Sequence, residues 1–316
     1  MLERTEVLES QTSKPFDHYL RDEGEGLRGV DRNIFVNEAL FDLEMKRIWE
    51  RVWIYVAHES QLPKPKDFLT SWIGRVPVMV NRSKEGKLQA FVNSCTHRGA
   101  TLCRKIKGNS GTFVCGFHGW AFNSEGKLLA PMNEKAGAYP PAFDKEQLGM
   151  KRVRLESYRG FLFATLNDAA EPLRDYLAES KTFIDMIVDQ SPQGIEVLGG
   201  RSTYTFNANW KLQAENGVDG YHVASTHANY VETTKHRAEL NRPGSTKTMN
   251  AGDIPKSRGG YYDLGNGHTI LWSDWSNPQD RPIYARRDEL IRTMGEERAE
   301  WAVSRMRNLL IYPSVF

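Results

Sequence analysis

Cysteine is scarce in this chain, with three residues in 316. A small, odd number excludes a disulfide-stapled scaffold and points to a reducing, cytoplasmic setting. Long hydrophobic runs are missing too: no stretch approaches the roughly 18 consecutive apolar residues of a membrane-spanning helix. Neither sign of charge dominates, since 42 Lys and Arg face 40 Asp and Glu for a formal net charge of +2. Such balance provides no electrostatic pull towards nucleic acid or an anionic membrane. Residues 1–10 are charged and have no apolar centre, which excludes a secretory signal peptide. There is no internal repeat and no low-complexity segment. What remains is the composition of an ordinary soluble globular protein, 40% hydrophobic and 26% charged. The length suggests two domains.

Two of the three cysteines fall in paired motifs. Cys95-Thr96-His97-Arg98-Gly99 and Cys115-Gly116-Phe117-His118-Gly119-Trp120 each hold one thiol and one imidazole. A set of two cysteines and two histidines also serves structural zinc, but the usual finger keeps both cysteines in one pair and both histidines in the other. Each pair here mixes the two. That arrangement suits a [2Fe–2S] centre of the Rieske type, with two thiolates on one iron and two neutral imidazoles on the other. Neutral ligands leave less negative charge on the cluster, so it is easier to reduce than an all-cysteine one. Gly99, Gly116 and Gly119 permit positive φ and close approach of backbone N–H groups to sulfide. Cys103 is expected to be a buried structural thiol.

A second constellation follows at Asp219, His222 and His227, an acid and two histidines spaced D-x2-H-x4-H. On a helix, Asp219 and His222 share a face. His227 lies five residues further and swings off it, so a regular helix does not bring both imidazoles to one ion. A bend or helix end between them does, and Val223, Ser225 and Thr226 favour one. Two imidazoles and a carboxylate with open positions describe the facial triad of non-haem Fe(II) oxygenases. Two satisfied polar histidines is the competing reading. The electron-storing motif upstream favours the metal. Asn216 and Tyr221 lie close enough in sequence to shape the pocket, or to serve only as cap and core. Trp120 and Trp210 are expected to pack.

The remaining pattern is that of an α+β protein. Residues 1–30 are polar without a period and are expected to be loosely ordered. Asn37 is a candidate N-cap for a helix over about 38–50, with Leu40, Leu43, Met45, Ile48 and Trp49 as its apolar stripe. From 67 to 165 come short β runs, among them 76–80, 88–92, 112–114 and 160–165, with turns at 85–86 and 125–126. Residues 172–190 read as helix, 195–206 as strand, and 209–227 as mostly helix. The stretch 228–260 reads as a long polar excursion. Strands at 260–263 and 269–272, a helix over about 286–305 and a final strand complete the pattern. The expected domains are an N-terminal segment and helix at 1–52, an all-β iron–sulfur domain at 53–165, and an α+β catalytic domain at 166–316.

In this order the two metal motifs resemble those of the large (α) subunits of Rieske non-haem iron ring-hydroxylating oxygenases. Residues 41–49 (FDLEMKRIW), 57–60 (AHES), 97–104 (HRGATLCR), 156–161 (ESYRGF), 187–192 (IVDQSP) and 307–313 (RNLLIYP) are similar to the benzoate, toluate, halobenzoate and anthranilate dioxygenase group. The likeness runs from about residue 30 to the end. It implies an all-β Rieske domain and a catalytic domain with a helix-grip-like antiparallel sheet. It further implies that Cys95 and Cys115 bind one cluster iron, that His97 and His118 bind the other, and that His222 and His227 bind a mononuclear Fe(II). Asp219 then matches not the iron's carboxylate but the acid that bridges the two metal centres across neighbouring subunits, through His222 and the next subunit's His118. The implied reaction is NADH-dependent dioxygenation of an aromatic acid, with electrons passing through a reductase, with or without a ferredoxin. The implied partners are other α subunits, in a trimeric or α3β3 assembly, and a small β subunit.

One family feature has no counterpart here. The third iron ligand of the family is a carboxylate on a C-terminal helix, and no segment of this chain resembles its surroundings. The chain is therefore expected to be a C-terminally shortened member, with Glu232, Asp253, Asp263 or Asp274 as substitute ligands in the alternative. Two other functions compete: a Rieske electron carrier with an unrelated second domain, and a catalytically incompetent fragment.

Overall fold

The computed structural model describes residues 16–240 and 257–316. The first strands form a hairpin of β1 (Leu20–Gly24) and β2 (Leu27–Val30), turned through Gly24 and Gly26 at positive φ. It corrects the expectation of a loosely ordered stretch over 16–30; residues 1–15 lie outside the described residues. Both faces of the hairpin are largely exposed, with Leu20 and Val30 open to solvent, so no apolar alternation marks it. Asn37 then caps α1 (Glu38–Glu44), its side chain accepting from the Leu40 N–H at 2.8 Å. The helix continues as a π turn, Met45–Trp49.

Strands β3 (Ile54–His58), β4 (Asp67–Ile73), β5 (Val76–Arg82), β6 (Leu88–Val92) and β7 (Lys107–Asn109) belong to one antiparallel sheet. A small sheet follows, of β8 (Thr112–Val114), β9 (Ala121–Asn123) and β10 (Leu128–Ala130). The large sheet is completed by β11 (Arg152–Tyr158) and β12 (Phe161–Thr165), for a seven-strand order β3-β12-β11-β6-β5-β4-β7. Phe68, Met79, Phe91, Phe113 and Phe122 pack between large and small sheets, together with the buried Cys95, Cys103 and Cys115.

Beyond β12 the chain turns helical: α2 (Leu173–Tyr176), α3 (Ser180–Val188), α4 (Trp210–Gly217), α5 (Val223–Thr226) and α6 (Ala228–Leu240). Ala178 at positive φ separates α2 from α3. The expected strand over 195–206 is not formed. Val197, Leu198, Tyr204 and Phe206 are exposed there and no strand pairs with them among the described residues. A β-prone run without a pairing partner has no ladder to join. Residues 228–240 form a helix rather than an irregular excursion. It has almost no apolar stripe, burying only Val231 and Thr234 among its described side chains, so periodicity does not reveal it. The remainder of that stretch, 241–256, lies outside the described residues.

A further antiparallel sheet comprises β13 (Gly259–Asp263), β14 (Thr269–Asp274) and β15 (Arg305–Leu310) in that order. Between β14 and β15 run α7 (Arg287–Met294) and α8 (Glu296–Ser304), broken at Gly295 with φ 84°. Side chains alternate across a sheet, so each face is a distinct set. Ile270 and Leu309 face α3, α7 and α8 over a core of Phe183, Met186, Leu290, Met294, Ala299 and Val303. A further cluster, including Trp53, Tyr158, Phe163, Tyr176, Ile184 and Ile311, fuses the seven-stranded sheet to the helical part. The architecture is α+β, an all-β module joined to an antiparallel sheet with helices.

Candidate metal centres

The first centre is built on two matching loops. In one, the Cys95 N–H donates to Ala100 O and the Gly99 N–H to Cys95 O, both at 2.8 Å. In the other, the Cys115 N–H donates to Trp120 O at 2.8 Å and the Gly119 N–H to Cys115 O at 3.0 Å. Each loop thus closes on its cysteine, and the glycine four residues on takes positive φ in both, 78° at Gly99 and 70° at Gly119. The loops bring Cys95, His97, Cys115 and His118 around one cavity of about 340 Å³, with Arg98, Gly99, Ala100 and Phe117 completing its wall. The His97 and His118 rings lie 4.7 Å apart between centroids. Trp120 stacks on His97 at 4.8 Å, so it orients a donor as well as packing. Burial pushes the Cys95 thiol up. Burial also acts on Cys115, but the backbone N–H groups of Phe117 and His118, with Cys95 and Arg104, outweigh it and hold that thiol low. Four donors of the right kinds converging from two loops fit a [2Fe–2S] group held by two sulfurs and two imidazoles. Cys103 is buried and its backbone is bracketed by Asn93, which donates to Cys103 O at 2.7 Å and accepts from Cys103 N at 2.8 Å.

The second centre lies where α4 stops. The helix ends at Gly217, the turn 218–222 carries Asp219 and His222, and His227 follows α5. Val223–Thr226 form a single helical turn flanked by His222 and His227 as its N-cap and C-cap, so the helix end that the spacing required falls at His227. His222 Nε2 lies 3.0 Å from His227 Nε2. Two nitrogens, each about 2.1 Å from one ion and at right angles across it, are about 3.0 Å apart. The pair therefore fits neighbouring positions on a single metal ion. Behind His222, its Nδ1 lies 2.9 Å from Asp219 Oδ2. An ionised carboxylate only accepts, so Nδ1 carries the proton and the Nε2 lone pair faces His227. Asp219 is thus engaged on the far nitrogen from the metal position. The Tyr221 N–H, at 2.7 Å from its other oxygen, and then the His222 side chain hold the Asp219 carboxyl below its usual range.

The histidines open on a cavity of about 250 Å³ lined by Asn216, Leu271, Ser273, Met306 and Asn308, among others. Asn216 is at the pocket; Tyr221 is 89% exposed and does not line it. Among the described residues no third His, Cys, Asp or Glu joins the pair as a metal-holding group. Glu232 pairs with Lys235, Asp263 caps Gly265, and Asp274 pairs with Arg258 and Arg305. None of these three serves as the substitute ligand, and Asp253 lies outside the described residues. Arg307 belongs to the opposite sheet face, its guanidinium 2.7 Å from Met186 Sδ and 3.4 Å from Ala302 O. Burial, aided by Arg281 and Arg305, lowers its pKa to about 10.

Residues 52–140, most of the all-β module, match the Rieske [2Fe-2S] domain, and residues 196–316 match the ring hydroxylating alpha subunit catalytic domain. The chain thus carries the two domains found in α subunits of Rieske-type ring-hydroxylating oxygenases. Among curated relatives it is 47% identical over 297 residues to toluate 1,2-dioxygenase subunit alpha of Pseudomonas putida, covering 93% of this chain and 65% of that one. It is 46% identical over 302 residues to the anthranilate 1,2-dioxygenase large subunit of Acinetobacter baylyi, covering 92% and 64%. A solved naphthalene 1,2-dioxygenase with indole bound in its active site superposes with a TM-score of 0.75 at 31% identity, over 88% of this chain and 63% of that one. The chain thus spans just under two thirds of the length of these relatives. The family's cofactors are a Rieske cluster and a mononuclear iron. No helix among the described residues is long and apolar enough to cross a membrane.

Proposed function

We propose that this chain is the oxygenase α subunit of a dioxygenase acting on benzoate-like aromatic acids, adding both atoms of O2 to the ring to give a cis-dihydrodiol. The observation that carries the reading is the pair of Nε2 atoms 3.0 Å apart, backed by Asp219, in a chain that also gathers two thiols and two imidazoles. Similarity to toluate and anthranilate dioxygenase subunits supports an acid as substrate. Electrons come from NADH through a reductase, with or without a ferredoxin. Other α subunits and a β subunit complete the assembly in the cytoplasm.

Cys95 and Cys115 would hold one cluster iron, His97 and His118 the other, and His222 and His227 the mononuclear iron. When bound, these groups supply one-electron storage and oxygen activation. The protein's part is to place and tune them. Asp219 keeps the proton on His222 Nδ1 and so keeps Nε2 free to ligate; such a carboxylate also raises the basicity of the imidazole. The Asp219 side chain is 40% exposed, which leaves it open to His118 of an adjacent copy. Leu271, Met306 and Val223 present apolar walls that exclude water beside the histidines.

Isotope labelling tests the reading. With reductase, β subunit, NADH and 18O2, benzoate, a toluate or anthranilate should yield a product carrying two labels. A single label, or no product from protein with both iron centres filled, would contradict it.

A further inference from the structure

The turn at 218–222 carries Asp219 and His222, yet it has no regular hydrogen-bonded ladder of its own. Two side chains from one sheet face reach across to it. Asn308 Nδ2 donates to the carbonyl of Gly217 at 3.2 Å, and the Gly220 N–H donates to the Tyr261 hydroxyl at 3.1 Å. These bonds bracket Asp219, one on each side.

Register explains why both come from the same face. Tyr261 lies opposite Leu271, and Leu271 opposite Asn308, so the three form a row across β13, β14 and β15. Leu271 and Asn308 line the cavity that holds the histidines. The Gly217 carbonyl ends α4, where carbonyls lack an intrahelical partner, and Asn308 supplies one. A Cβ built on Gly220 would lie 3.5 Å from both the Tyr261 hydroxyl and Leu271, which shows how closely the turn sits on the sheet.

We propose that Tyr261 and Asn308 are positioning residues for the mononuclear metal site. This rests on the reading of His222 and His227 as metal donors. The sheet fixes Gly217 and Gly220, the turn between them fixes Asp219, and Asp219 fixes the His222 ring through Nδ1. Neither residue touches the metal position. Their effect is on the angle at which Nε2 meets it.

Anchoring bonds of this kind also stabilise loops, and the two roles part in what they change. A purely structural role alters melting temperature. A positioning role alters metal affinity and ligand field while melting temperature and cluster stay as they were. The test uses the full chain with its cluster assembled, with Co(II) added anaerobically as the probe and followed by its visible absorption. Tyr261→Phe removes the acceptor, and Asn308→Ala removes the donor. Each should weaken Co(II) binding about tenfold or more, the scale on which loss of such supporting groups acts, and should change the Co(II) spectrum. Melting temperature and the reduced-cluster EPR signal should match the parent. Parental affinity and spectrum in both variants would overturn the proposal, as would a drop in melting temperature that accounts for the whole loss. His222→Ala/His227→Ala is the control. If it binds Co(II) as well as the parent does, the two-histidine site itself falls, and that outcome is distinct from failure of the anchors alone.

Discussion

Asp219 and His222 were legible as a pair from their three-residue spacing, and the structure joins them at 2.9 Å, though in the turn 218–222 rather than on a helix face. The four side chains around the loop cavity were legible for a chemical reason: few side chains bind iron, and all four sit in two short stretches. Residues that act on them from afar were not legible. Trp120 stacks on His97, and Tyr261 and Asn308 meet the turn that carries Asp219 and His222 only through sheet register. His268 was missed too. It is buried, with Nε2 2.8 Å from Tyr176 O and Nδ1 accepting from the Tyr312 N–H at 3.0 Å. The carbonyl requires the proton on Nε2, so the ring is neutral and Nδ1 has no room for a second proton without losing the Tyr312 bond. Burial lowers its pKa, although Tyr176 O and Asp263 pull the other way. The unfolded chain therefore takes up this proton first as pH falls. Stability is complete above the ordinary histidine value of about 6.5 and declines below it towards the lowered folded value. Urea midpoints measured across that range should show the decline. His268→Asn should be less stable at neutral pH and should show a smaller decline. An unchanged pH slope in the variant would remove His268 as its source.

At the level of elements, α4 is tied to the N-terminal helix by a buried ion pair. Glu44 on α1 accepts from Lys211 Nζ at 2.7 and 2.9 Å and from Trp210 Nε1 at 2.9 Å. Both Glu44 and Lys211 are largely removed from solvent, and Trp49 meets Trp210 edge-on. The helix over 38–50 was readable from its cap and stripe, but Glu44 lies outside that stripe and its burial was not readable. Its burial depends on a lysine far along the chain. Breaking a buried pair leaves an uncompensated charge, so Glu44→Ala should cost about 3–5 kcal/mol of unfolding free energy. Glu44→Leu combined with Lys211→Met should recover much of that loss, and chemical denaturation distinguishes the two. Helix breaks were the less legible part of this level. One continuous helix was expected over about 286–305, and Gly295 divides it. The β-prone run 195–206 illustrates the opposite error, because strand propensity requires a neighbour that the local sequence does not specify.

The whole molecule places two kinds of donor set on two kinds of scaffold. Hairpin-like loops of an all-β module carry the thiols and imidazoles. An interrupted helix over an antiparallel sheet carries the histidine pair. Alternating β runs and turn signals made the first scaffold readable from sequence, and the three strands of the second scaffold's sheet were readable in outline. How the sheet face meets the interrupted helix was not, since that contact joins residues 217–220 to 261 and 308. If these scaffolds hold two distinct iron centres, metal analysis of anaerobically prepared protein supplied with Fe(II) and sulfide will show both. Iron, acid-labile sulfide and zinc per chain, with EPR of the reduced state, should give two sulfides and a Rieske-type signal, both lost in Cys95→Ser/Cys115→Ser. Iron beyond the cluster pair should be present and should disappear in His222→Ala/His227→Ala while the signal remains. Zinc in place of cluster iron, or iron beyond the pair that survives the histidine substitutions, would contradict the account.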